Sequence, residues 1–169
     1  MVVDAPYIAG RASLRWLYLS GFIVLSDQLT KWIIVERFYE FERLYVWPFF
    51  DVVRFHNTGA AFSLFADASG WQHYLFTAIA LLVSIGILWY QWSLPARGCR
   101  TLASGLALIL GGALGNLIDR LNYGYVVDFL LFHYKEWSWP AFNVADSAIT
   151  VGVTLVIIDS IFFERKRRA

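Results

Sequence analysis

Two aspartates set the chemistry open to this chain. Asp128 stands in Val126-Val127-Asp128-Phe129 and Asp146 in Asn143-Val144-Ala145-Asp146-Ser147. The first follows one apolar segment and the second lies just inside the next, so both are expected near the same membrane face. Two carboxylates that converge share one proton and can activate a water, which suffices to cut a peptide bond. Asp146, near a helix N-terminus whose positive end favours an anion, is expected to be the more often ionised of the two.

Other polar residues sit where apolar ones are the rule. An acid at the centre of a spanning helix costs about 2.5–3.5 kcal/mol on insertion scales, so each needs a reason. Asp27 and Lys31 are four apart and share a helix face, acid first, which is the favourable order. They form either a structural pair facing the bundle interior or a brace for the site. Asn116, Asp119 and Arg120 cluster on one side of another segment. They are either a self-satisfying polar network or, through Asn116 and Arg120, donors to substrate carbonyls. Gly111 and Gly115 give the small-xxx-small spacing that lets helices approach closely. Asn143 and Asp146, three apart, project from one face. Asp159 is expected to be structural, paired with Arg165.

These residues need a membrane framework to hold them. Of the 169 residues 59% are hydrophobic and only 16% charged, against about a quarter in a soluble domain. Four stretches approach the ~20 apolar residues that cross a bilayer. They run from about Leu14 to Val35, Tyr74 to Trp92, Leu102 to Ile118 and Ala141 to Phe163. A single membrane-embedded domain over 1–169 is expected. Its first span is too long and too charged for a cleavable signal peptide. Arg11 and Arg15, then Arg97 and Arg100, then Arg165 to Arg168 flank the spans on one side, which predicts both termini in the cytoplasm.

The two connections on the other side carry the remaining structure. Residues 37–66 hold Leu44-Tyr45-Val46-Trp47-Pro48-Phe49-Phe50, Val52-Val53-Arg54-Phe55 and Ala60-Ala61-Phe62-Ser63-Leu64-Phe65. These aromatic and β-branched runs favour strand, with a turn at Asn57-Thr58-Gly59. They predict a small extracytoplasmic sheet on the membrane surface. Ser69-Gly70-Trp71-Gln72 is expected to start a short surface helix. In the second connection Gly124 should end a helix, Val126-Val127-Asp128 should be short and extended, and Pro140 suits the first turn of the last helix.

Several chemistries are disfavoured. His56, His73 and His133 show no metal-ligand spacing, and no His-Glu-x-x-His motif occurs. Neither a Gly-x-Ser-x-Gly elbow nor a glycine-rich phosphate loop is present, so no metal or cofactor is expected. Cys99 is the sole cysteine, and the net charge of +1 without a basic stripe argues against nucleic acid. Intramembrane acids also mark proton and ion pathways, so a small proton- or ion-coupled transporter is the competing reading. Against it, Asp119, Asp128 and Asp146 gather at one face.

Taken in order, the motifs resemble a known family. Asp27-Gln28-Leu29-Thr30-Lys31, Asn57-Thr58-Gly59-Ala60-Ala61-Phe62, the run from Gly111 to Arg120, Val126-Val127-Asp128-Phe129 and Phe142-Asn143-Val144-Ala145-Asp146-Ser147 cover nearly the whole chain. Together they are similar to the bacterial lipoprotein signal peptidases, or signal peptidase II. The resemblance implies an aspartic endopeptidase of the bacterial inner membrane. Such an enzyme would remove the signal peptide from diacylglyceryl-modified prolipoproteins, on the amino side of the lipid-modified cysteine. It implies Asp128 and Asp146 as the catalytic pair, Asn57, Asn116, Arg120 and Asn143 as residues lining the site, and Asp27 and Lys31 near it. It also implies four spanning helices with a small outer sheet and a short surface helix. The expected partners are prolipoprotein signal peptides and membrane lipid, and a monomer is the simplest assembly.

Overall fold

A computed structural model describes residues 14–59, 70–95 and 98–163 of the chain. After a 3-10 turn at Leu14–Trp16, the elements are α1 (Leu17–Arg37), β1 (Arg43–Trp47), β2 (Phe50–Asn57), α2 (Trp71–Ser93), α3 (Arg100–Tyr123), β3 (Val126–Tyr134), β4 (Trp137–Ser138) and α4 (Val144–Phe162). Among the described residues α2, α3 and α4 are long and apolar enough to cross a membrane. α1 has 21 residues, about 31 Å at 1.5 Å per residue, but Asp27, Gln28 and Lys31 make it more polar.

α1 and α2 are turned inside out relative to helices of a water-soluble bundle. α1 buries Ser20, Asp27, Lys31 and Ile34, and α2 buries Gln72, Ser84, Ile87 and Gln91. Phe22, Leu25 and Trp32 of α1 and Leu82, Ile85 and Trp89 of α2 point outward. An apolar surrounding explains the outward faces, and the polar groups it disfavours turn inward. Ser20 Oγ, for example, donates to Ala107 O across the α1–α3 contact at 2.8 Å.

α3 is the centre of the bundle and packs on all three other helices, most extensively on α4. Small residues make this possible. A Cβ added at Gly112 would stand 2.3 Å from Ala145 O, and one at Gly152 would stand 2.6 Å from Gly105 O. Gly124, at φ +79°, ends α3 in the left-handed conformation and donates its N–H to Arg120 O at 3.0 Å. Leu94 leaves α2 in extended backbone, as the residue before Pro95 should.

Both connections build one sheet. Its order is β1-β2-β3-β4, antiparallel throughout. The strands expected in 37–66 are β1 and β2, but the expected short extended piece at Val126 is a nine-residue strand paired with β2. Ile34 at the end of α1 packs with Val127 and Phe129 of β3. Arg54 of β2 donates to Val35 O at 3.1 Å and Phe38 O at 2.8 Å, which ties the sheet to the carbonyls that end α1.

Three expectations change. Pro140 is not in the last helix: α4 begins at Val144 with Asn143 as N-cap. Trp71 and Gln72 form the first turn of α2, behind Gly70, rather than a separate surface helix. α3 extends five residues past Ile118, to Tyr123. The strand expected at Ala60 to Phe65, Ser69, and the basic residues Arg11, Arg97 and Arg165 to Arg168 lie outside the described residues. The partner predicted for buried Asp159 therefore lies outside them too.

Candidate active site

Asp128 and Asp146 come from different kinds of element, and backbone pairing brings them together. Asp128 lies on β3 opposite Phe55 of β2. Strand alternation puts Asn57, two residues beyond Phe55, on the face that Asp128 occupies. Phe142 then bridges to Leu130, its N–H donating to Leu130 O at 3.0 Å while Leu130 N–H donates to Phe142 O at 2.8 Å. The next residue, Asn143, starts α4 against β3, and Asp146 is the third residue of that helix.

Three asparagines grip the two acids. Asn57 Nδ2 donates to Asp128 Oδ2 at 2.9 Å, and Asn143 Nδ2 donates to Asp128 Oδ1 at 2.8 Å. Asn116 Nδ2 donates to Asp146 Oδ1 at 2.7 Å. Asp146 Oδ2 also accepts the Asn143 backbone N–H at 3.3 Å. Asn143 thus touches both carboxylates, one through its side chain and one through its backbone. Asp128 is only 3% exposed. Burial above all, then the charge of Asp146, raises its carboxyl to about 7, against the pull of the Asn57 and Asn143 donors.

Behind the acids lies a buried ion network. Lys31 Nζ reaches Asp27 Oδ2 at 2.8 Å, Asp119 Oδ2 at 3.0 Å and Asn116 Oδ1 at 2.9 Å. Gln28 Nε2 donates to Asp119 Oδ1 at 2.8 Å.

Two cavities meet at the pair. The larger, about 540 Å³, is lined by Asp146, Asn116, Arg120, Ser147 and Ile149 among others. The smaller, about 320 Å³, is lined by Asp128, Phe55, His56 and Leu131 among others. Asn57, Trp139, Pro140 and Ala141 border both. Arg120 lies against the Phe76 ring, 5.6 Å from its centroid.

The model of the family described as signal peptidase (SPase) II matches residues 19–162. The chain belongs to the signal peptidase II family. The lipoprotein signal peptidase of Acinetobacter baylyi is 48% identical over 155 residues, covering 92% of this chain and 86% of that one. That of Burkholderia thailandensis is 47% identical over 154 residues, covering 90% and 91%. The fold is similar to a bacterial membrane enzyme solved by the in meso method at 2.3 Å resolution. The TM-score is 0.75 at 30% identity, with 87% of each chain covered. A second such structure, at 1.9 Å, gives 0.74 at 30% identity, with 89% and 94% covered.

A signal peptidase II is a peptidase, which displaces the transporter reading. In this member of the family the eight residues that the resemblance implies for the site fall in one region. Asn57, Asn116 and Asn143 turn their amide nitrogens to the carboxylates, while Arg120 lines the larger cavity. Asp27 and Lys31 stand one layer back. Sequence reasoning gave no role to Gln28 and missed that Asn143 caps α4. The pattern of an N-cap residue followed three positions later by an acid at Asn143 and Asp146 carried that signal.

Proposed function

We propose that this chain is an aspartic endopeptidase that removes the signal peptide from diacylglyceryl-modified prolipoproteins, cutting on the amino side of the lipid-modified cysteine. Family membership supports the substrate class, since the relatives carry the name lipoprotein signal peptidase. The observation that carries the mechanism is the sharing of Asn143 between Asp128 and Asp146.

The reaction starts from a water bound by the two carboxylates. Asp146, ionised near the positive end of α4, takes a proton from it as the oxygen attacks the scissile carbonyl. Asp128 gives its proton to the carbonyl oxygen, leaving a neutral tetrahedral diol. On collapse the amine nitrogen takes the proton from Asp146, the carbon–nitrogen bond breaks, and a diol hydroxyl returns a proton to Asp128. The cycle ends with the carboxylates as they began, and every step uses groups of this chain. Asn57, Asn116 and Asn143 hold the acids, and Arg120 meets the peptide in the larger cavity and offsets developing charge. Asp27 and Lys31 support the site from behind.

The same reading makes 1–169 one membrane-embedded peptidase domain with α1 as a fourth span, since its buried face is polar and its outward face apolar. Both termini lie in the cytoplasm of a bacterial inner-membrane protein. The sheet and the acids lie near the outer face, where Trp47, Trp137 and Trp139 suit the interface. The enzyme works as a monomer.

The test is a gel-shift cleavage assay on a diacylglyceryl-modified prolipoprotein with wild type, Asp128→Asn and Asp146→Asn. Cleavage by wild type alone, with both variants folded, is expected. Activity surviving either substitution removes that aspartate from the mechanism.

A further inference from the structure

Neither cavity at the acids is lined by Lys31, yet its ammonium group has a partner for each proton. Those partners are Asp27 Oδ2 at 2.8 Å, Asn116 Oδ1 at 2.9 Å and Asp119 Oδ2 at 3.0 Å. The group is 3% exposed. An ammonium has three donors and no acceptor, so Lys31 is saturated. A buried ion cluster like this is weak evidence for added stability, because desolvation offsets much of the attraction. What sets it apart is where each partner leads.

Asp27 Oδ1 accepts the backbone N–H of Ala145 at 2.9 Å, one residue before Asp146. Asp119 Oδ2 accepts the backbone N–H of Val127 at 3.0 Å, one residue before Asp128. Each half of the pair is therefore anchored at the same relative position by a carboxylate, and Lys31 bridges the two anchors. The third partner acts more directly. Lys31 can only donate, so the Asn116 amide must turn its oxygen to Lys31, and its Nδ2 then points to Asp146, 2.7 Å away. One side chain on α1 thus fixes α4, β3 and an amide of α3 relative to one another. The fit is tight. A Cβ at Gly115 would stand 2.6 Å from Asp27 Oδ2, so α3 approaches the network at a glycine.

The geometry points to Lys31 as a positioning residue that sets the separation and orientation of Asp128 and Asp146 through Asp27, Asp119 and Asn116. This rests on the assignment of those two aspartates as the reacting pair. Lys31 contacts no reacting atom. Its effect is on the chemical step, where a misplacement of about 1 Å is worth about a hundredfold in rate. Substrate affinity, set in the two cavities, is unaffected.

The experiment uses the full-length protein in detergent with a lipid-modified prolipoprotein, measuring kcat, KM and the thermal midpoint. Lys31→Met leaves Asp27 and Asp119 facing each other without a counterion, so on its own it tests folding as much as catalysis. The decisive variants are Lys31→Arg, which keeps the charge but has a planar fork in place of three diverging donors, and the charge-neutral triple Asp27→Asn/Lys31→Met/Asp119→Asn. In whichever of these keeps the wild-type thermal midpoint, kcat should fall roughly tenfold to a hundredfold with KM within about threefold. A wild-type kcat in either folded variant overturns the inference and reduces the network to a structural one. Asp128→Asn is run alongside. If it is inactive while the triple variant is fully active, only the positioning role fails. If Asp128→Asn itself cleaves, the assignment of the reacting pair fails.

Discussion

Asn143 and Asp146 cap each other. Asp146 N–H donates to Asn143 Oδ1 at 2.9 Å, and Asn143 N–H donates to Asp146 Oδ2 at 3.3 Å. This reciprocal box closes the first turn of α4. The acid in it is also a member of the candidate catalytic pair, so helix initiation and carboxylate placement are one event. The Asn143 side chain adds the link to Asp128 through Nδ2 at 2.8 Å.

Asn143→Ala therefore has two separable consequences. Loss of the cap costs about 1 kcal/mol of stability, visible as a small drop in thermal midpoint. Loss of the Nδ2 donor frees Asp128 on one side, while the backbone N–H to Asp146 remains, and kcat should fall by about two orders of magnitude. A cleavage assay at a temperature where the variant is fully folded separates the two. Near-normal kcat there would mean that the bridge is not needed for turnover.

The pH dependence follows from Asp128. Its carboxyl is raised from an ordinary 3.8 to about 7 by burial first and then by Asp146. Cleavage that needs a proton on Asp128 should decline as pH rises through about 7, and the need for an ionised Asp146 adds a second decline on the acid side. The contribution of Asp128 to stability also declines as pH rises. The folded chain binds this proton more tightly than the unfolded chain, so the contribution is fully present below about pH 4. It is lost progressively up to about pH 7, at no more than about 1.4 kcal/mol per pH unit. Asp128→Asn should lack this part of the slope. Thermal midpoints of wild type and variant between pH 4 and 8 measure it, and parallel curves would contradict it.

The legible parts of the molecule were those with a local signature. Apolar length gave α2, α3 and α4 within a few residues, and Gly124 gave the end of α3. Asp27 and Lys31 could be paired by their four-residue spacing alone. The rest depends on long-range pairing that no window of sequence contains. Val126-Val127-Asp128 reads as a short extended piece. It becomes a nine-residue strand only because β2, about 70 to 80 residues earlier, pairs with it. Pro140 suits a helix start, but Phe142 is held in a bridge to Leu130, which delays α4 until Asn143. Asn116 had two readings in the sequence, a polar network or a donor to substrate, and no local pattern could show that Lys31, Asn143 and Asp146 occupy its amide.

The sheet should prove as necessary as the acids. Arg54 joins β2 to α1 by donating to Val35 O and Phe38 O, and β2 carries Asn57 to Asp128. Arg54→Met leaves those carbonyls unpaired at the helix end, at a cost of about 1–3 kcal/mol. The sheet then loosens and cleavage falls. Hydrogen exchange of the β2 amides reads the loosening directly, and unchanged protection with unchanged activity would remove Arg54 from this role.

Close packing of α3 on α4 makes the last prediction. Gly112 faces the carbonyl of Ala145, and an added Cβ would lie 2.3 Å from that oxygen and 2.7 Å from Ile149 Cγ1. Backbone cannot give way as a side-chain tip can, so Gly112→Ala must push the two helices apart at the turn that carries Asp146. Overpacking of this kind costs about 1–3 kcal/mol. The same displacement lengthens the 2.7 Å contact from Asn116 to Asp146, so activity should fall further than stability. Gly21→Ala is the matched control. It adds the same methyl to α1 where nothing lies within 4 Å, and should leave thermal midpoint and kcat near wild type. If both variants behave alike in cleavage and unfolding, the close approach at Gly112 does not set the position of Asp146.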